Sequence, residues 1–142
     1  MHVESLCSRL QLRLYFLHRL RVYGVDKSIM FLFYQAVLEG LVRYGISSWY
    51  GNLTEKLKTK LACLVHKAMK VIGKSEYQTL QSIYQQTVFR QAQRIVNDPS
   101  HILHSEYDLL SSGRRCRVPH CKLNRFKNSF VPTSITFLNK AA

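Results

Sequence analysis

Apolar positions recur at helical spacing along most of the first hundred residues, and the pattern predicts four helices. In the first, residues 4–23, Leu6, Leu10, Leu14 and Leu17 form one stripe. Leu12, Phe16, Leu20 and Tyr23 form a second, and the two merge into a wide apolar arc that also holds Arg9 and Arg13. Arginines in such a place snorkel past the apolar surface or meet a phosphate. Gly24 ends this helix and Asp26 can cap the next, residues 27–44. The run Ile29–Tyr34 leaves no polar side, which marks a helix buried all round at the centre of the domain. Gly40 interrupts its pattern, and Gly45–Gly51 reads as a loop or short extended stretch.

The third helix, residues 54–72, is framed by Asn52 or Thr54 as its cap and by Gly73 as its stop. Leu57, Leu61, Leu64, Ala68 and Ile72 line one face. Lys56, Lys60, Lys67, Lys70 and Lys74 recur at spacings of four, seven, three and four. At about 100° per residue they fall on a narrow stripe, roughly a third of a turn from the leucines. The fourth helix, residues 76–96, sets Tyr77, Leu80, Tyr84, Val88 and Ile95 against a glutamine-rich side, and Pro99 ends it. Residues 100–142 read as an irregular, partly extended tail closed by a short strand or helical turn. Arg114, Arg115, Arg117, Lys122, Arg125 and Lys127 are interleaved there with Phe126 and Phe130. The expected fold is therefore mainly α, with a helical domain over residues 1–99 and a basic C-terminal tail over 100–142.

Charge sharpens this picture. The chain carries 21 Lys and Arg against 8 Asp and Glu, a net +13 that favours polyanionic partners. The excess comes in blocks: +3 over residues 1–23, zero over 24–51, +5 over 52–74, zero over 75–99 and +5 over 100–142. Neutral segments suit a core and basic ones an exposed face. Most helical charge runs are simply solvated. The lysine stripe, however, is single-signed, and like charges one turn apart repel until a polyanion relieves them. Basic residues mixed with aromatics, as in the tail, suit contact with a nucleic-acid backbone combined with base stacking.

Several function classes drop out. With 46% hydrophobic residues the chain is too apolar for disorder throughout. Glu4 and Arg9 interrupt any secretory leader, and the longest apolar run is far short of the ~20 residues a membrane span needs. No membrane partner is expected. Cys7, Cys63, Cys116 and Cys121 form no dense staple, so reduced thiols in an intracellular, nuclear or cytoplasmic setting are expected. The acids form no arranged pair, and neither a glycine-rich phosphate loop nor a nucleophile elbow is present. His101-x2-His104 followed by Cys116-x4-Cys121 supplies zinc-type donors, but the spacing matches no finger. The residues thus predict no enzyme, no cofactor and no metal site.

Motifs in a fixed order add a resemblance. Leu14–Arg21 (LYFLHRLR), Phe33–Glu39 (FYQAVLE) and Ser48–Asn52 (SWYGN) come first. Asn97–His104 (NDPSHILH), Arg114–Cys121 (RRCRVPHC) and Arg125–Pro132 (RFKNSFVP) follow. Together they resemble, in order and spacing, the segment that follows the polymerase palm in non-LTR (LINE-type) retrotransposon reverse transcriptases, and they cover nearly the whole chain from about Leu10. Cys116 departs from the family, where that position is usually aromatic. The resemblance implies a thumb-and-tail segment without the upstream polymerase aspartates, whose place is to help hold RNA or DNA. Some members of the family carry a label borrowed from the N-terminal module of an AlkB-type DNA-repair homologue. This chain has no His-x-Asp iron motif, so dioxygenase chemistry does not follow.

The expected function is non-catalytic binding of RNA or DNA backbone. Lys56, Lys60, Lys67, Lys70 and Lys74 would form one contact surface and Arg114, Arg115, Arg117, Arg125 and Lys127 another. The alternative is a degenerate or structural protein-interaction remnant with no activity of its own. Its partner would be the rest of a polyprotein or, through exposed apolar surface, a second copy.

Overall fold

The computed structural model describes residues 2–141. Seven helices are present among them: α1 (His2–Val22), α2 (Lys27–Arg43), α3 (Ile46–Trp49), α4 (Glu55–Ile72), α5 (Leu80–Asn97), α6 (Asn124–Lys127) and α7 (Phe130–Ala141). The mainly α class agrees with expectation, and the count of about four helices does not. The chain forms two compact units. One comprises the chain up to Ile46 with Leu53–Leu80, and the other Ser47–Asn52 with the chain from Gln81 onward.

In the first unit α1, α2 and α4 pack against one another. Gly24 takes a left-handed φ of 73°, which a side chain would strain, and this turns the chain out of α1. The Asp26 carboxylate then accepts the Ser28 N–H at 2.9 Å and caps α2. Hydrogen bonds from the Ser28 hydroxyl and N–H hold the Asp26 carboxyl below its usual range. Within α2 the turn Tyr34–Glu39 widens to π geometry, and the helix continues through Gly40 to Arg43. Glu39 also accepts a salt bridge from Arg43 at 2.6 Å.

The core gathers Leu6, Leu10 and Leu17 from α1, Met30, Tyr34, Leu38 and Val42 from α2, and Leu61, Leu64, Val65, Ala68, Met69 and Ile72 from α4. Each fully buried aliphatic side chain stabilises by about 1.5–3 kcal/mol. Burial, reinforced by the Glu39 carboxylate, pushes the Tyr34 hydroxyl well above the ordinary tyrosine range.

One expectation fails here. The second helix is not buried all round: Ile29 and Leu32 are 57% and 64% exposed. Helices α1 and α4 cover only its Met30–Tyr34–Leu38–Val42 face, and one helix needs neighbours on every side to bury its whole circumference. The two apolar stripes of α1 also part company. Leu6, Leu10 and Leu17 are buried, whereas Leu12, Phe16 and Tyr23 are 58%, 48% and 70% exposed.

The predicted loop Gly45–Gly51 contains the short helix α3 and a 3₁₀ turn, Tyr50–Asn52. The helix predicted from residue 76 begins at Leu80. Side-chain bonds hold the preceding segment outside a helix: Tyr77 Oη lies 3.0 Å from His66 Nδ1, and Gln78 Oε1 accepts from Arg43 at 3.2 Å.

The second unit shows the largest correction. In place of a short strand or helical turn closing an irregular tail, α7 runs for 12 residues. Pro132 does not interrupt it, because a proline in the first helical turn removes only an N–H that has no partner there. Ala92 and Ile95 of α5 pack with Tyr107, Cys116 and Ile135, flanked by Leu103, Phe130, Val131 and Leu138. The fully buried Ser134 donates to the Val131 carbonyl at 2.8 Å, so the Tyr107 hydroxyl, 2.6 Å away, donates to Ser134. Tyr50 and Tyr84 meet at 5.0 Å between ring centroids.

Candidate nucleic-acid interface

Helix α4 builds the first basic surface. Thr54 caps it by accepting the Leu57 N–H at 3.4 Å. Gly73, at φ 81°, ends it, and the N–H groups of Gly73 and Lys74 both bond the Met69 carbonyl, at 2.9 and 3.0 Å. With the Leu61, Leu64, Ala68 and Ile72 face buried, helical geometry turns Lys56, Lys60, Lys67 and Lys70 outward, and all four are exposed. The nearby Glu55 is engaged by Lys58, off the stripe, at 2.8 Å. Among the described residues no ion pair involves a stripe lysine.

Lys74 leaves this row. It lies beyond the helix stop, and its ammonium sits 3.6 Å from the centroid of the Phe31 ring, a cation–π contact. Cation-bearing groups also collect at the C-terminal end of α4, the negative end of its dipole. Arg21 Nη1 reaches the Lys70 carbonyl at 3.5 Å, and the Lys27 side chain lies beside Gly73.

The tail arginines divide between two elements of the second unit. Leu109 and Cys116 form an isolated antiparallel bridge. Leu110 N–H bonds the Arg115 carbonyl at 2.8 Å, and Arg117 N–H bonds the Asp108 carbonyl at 2.7 Å. Gly113, at φ 67°, makes the turn between them. Cys116 points into the core, so its neighbours Arg115 and Arg117 project the other way, exposed with Arg114. The Asn139 amide of α7 clamps this ribbon. Its Oδ1 accepts the Cys116 N–H at 2.8 Å, and its Nδ2 donates to the Cys116 carbonyl at 2.9 Å. Arg125 and Lys127 are exposed on the single turn α6, together with the half-exposed Phe126. The stripe and the tail cluster belong to different units.

The zinc-type donors are each engaged separately. His101 Nδ1 accepts the Leu103 N–H at 3.1 Å, and His104 Nδ1 lies 3.0 Å from the Ile95 carbonyl. Cys121 donates to the Pro119 carbonyl at 3.2 Å, and burial pushes the Cys116 thiol upward. Among the described residues no three such side chains come together to hold a metal ion. Burial likewise raises the Cys7 thiol, against the lowering effect of Lys60.

Two grooves of the first unit are not legible as such in the sequence. One, about 650 Å³, runs between α1 and α2 over Leu12, Phe16, Leu20, Phe33 and Val37, with Arg9, Arg13 and Arg19 at its edge. Arg19 is spoken for by Tyr23, whose hydroxyl it reaches at 2.8 Å. The other, about 570 Å³, lies between α1 and α4 and joins Lys67 and Lys70 of the stripe to Tyr15, His18 and Arg21. Positions 11, 14, 15, 18 and 21 share one helix face, a spacing that could have grouped these residues, but nothing in the sequence says that α4 lies beside them.

No family model, curated protein or solved structure matches the chain. No single helix among the described residues is long and apolar enough to cross a membrane.

Proposed function

We propose that the chain is a non-catalytic nucleic-acid-binding segment of a LINE-type retrotransposon reverse transcriptase, lacking the polymerase active site and acting in the nucleus or cytoplasm. It holds RNA or DNA by the backbone. The observation that carries this reading is the exposed row Lys56, Lys60, Lys67 and Lys70, unrelieved by any carboxylate on its own face. Lysine rows read charge and not base identity, so sequence preference is weak and salt dependence steep. Arg114, Arg115, Arg117, Arg125 and Lys127 supply a second phosphate-contacting set, whereas Lys74 is held over the Phe31 ring.

The test is a titration of the chain against fluorescent single-stranded RNA and duplex DNA across a salt series. Tight binding at low salt that weakens linearly in log K against log salt is expected. A folded monomer that binds neither nucleic acid overturns the proposal.

The exposed apolar groove between α1 and α2 favours a second reading, a protein-contacting remnant that meets the rest of its polyprotein or a second copy. Such association persists at high salt, where backbone binding fades.

A further inference from the structure

The groove between α1 and α4 combines three features that a solvated charge stripe does not need. Its floor is apolar, formed by Leu14, Leu64 and Val71. Its rim carries His18, Arg21, Lys67 and Lys70, and no lining residue is acidic. An aromatic ring, Tyr15, stands in it 57% exposed, braced edge-on by Phe16 at 5.9 Å between centroids. A volume of about 570 Å³ is within the range of small-molecule sites.

We infer that this groove takes an unpaired nucleotide of a single strand, with its base against Tyr15 and the adjoining phosphates on Lys67 and Lys70. The inference rests on the proposed backbone-binding function and adds the class of nucleic acid. Bases in a duplex are stacked on one another and cannot enter, whereas a single strand splays its bases onto aromatic side chains while basic residues track its phosphates. An acidic peptide would satisfy the cations but has no use for the ring, so the aromatic contact separates the two ligands. The tyrosine hydroxyl is not required, because stacking uses the ring.

The test uses the full chain and two probes of equal length and charge: fluorescent oligo-dT of 12 nucleotides and its fully abasic counterpart. The parent chain binds oligo-dT more tightly. Tyr15→Leu weakens oligo-dT binding by about 5- to 150-fold, the range for losing one base–aromatic stack, and leaves abasic binding unchanged. Tyr15→Phe retains parental affinity, which separates loss of the ring from loss of fold. Equal binding of both probes by the parent chain, or a Tyr15→Leu variant with parental oligo-dT affinity, overturns the groove assignment and leaves backbone binding intact. Binding of neither probe overturns the inference, and backbone binding falls with it only where single-stranded RNA and duplex DNA are also left unbound. Poly-glutamate serves as a control peptide, and its binding where neither oligonucleotide binds likewise overturns the inference.

Discussion

Replacing Lys56, Lys60, Lys67 and Lys70 together with Gln removes the charge of the α4 row and little else. All four side chains are exposed, none is in an ion pair among the described residues, and Gln has nearly the helix propensity of Lys. Lys70 lies 14 positions beyond Lys56, about 21 Å along the helix at about 1.5 Å per residue. On a single strand each neutralised phosphate contributes about 0.7 to the slope of log K against log salt, so four contacts contribute at most about 2.8. On duplex DNA, at about 0.9 each, the ceiling is about 3.6. Between about 50 and 200 mM salt, a single-strand slope of about 2.8 corresponds to roughly a 50-fold loss of affinity. The variant should therefore bind more weakly at low salt and show a flatter slope, with the two curves converging as salt rises. Fluorescence anisotropy over a salt series measures the slope, and circular dichroism checks that helicity is unchanged. A variant of parental helicity with the parental slope refutes the row as a phosphate-contacting surface.

Three further outcomes test the local physics. Asn139→Ala strips both backbone bonds from Cys116 and should destabilise the second unit by about 1–3 kcal/mol, read by urea unfolding, with faster amide exchange at Cys116. Tyr107→Phe removes only a donor to Ser134, which keeps its bond to Val131, and should cost about 1 kcal/mol. Ser134→Ala orphans the Tyr107 hydroxyl and should cost more, so the reverse order in thermal melts contradicts the assigned donor. The Asp26 carboxyl is held below its ordinary range by Ser28, so its capping stabilisation is present above the ordinary carboxylate range and is lost as pH falls through the lowered value. Asp26→Asn should remove that component of the acid transition in melts between pH 2 and 5.

The helical character and the limits of α1 and α4 are readable in the chain because they are local. Leucine periodicity, Thr54 ahead of α4 and Gly24 and Gly73 behind their helices act through neighbours in sequence. The lysine row is readable for the same reason: helical spacing alone puts Lys56, Lys60, Lys67 and Lys70 on one side. Lys74 marks the edge of that logic. Its spacing extends the row, but the left-handed Gly73 redirects the backbone and Phe31 of another helix captures its ammonium.

Packing decides the remainder. An apolar segment states only that it can be buried, not how much of it neighbours will cover, so Ile29 and Leu32 stay exposed against expectation, and the Leu12–Phe16–Tyr23 stripe is exposed as well. The end of the tail, expected as a short strand or helical turn, becomes the 12-residue α7 where Ile135 packs against Ile95 and Tyr107. By itself the sequence determined a basic, mainly helical chain with a one-sided lysine row, because charge, capping and periodicity are fixed by residues a few positions apart. Only the tertiary structure brought Tyr15, His18 and Arg21 beside Lys67 and Lys70, because α1 and α4 are about 50 residues apart along the chain and their approach is set by the shared core beneath the groove, where loop-closure entropy is offset by apolar burial.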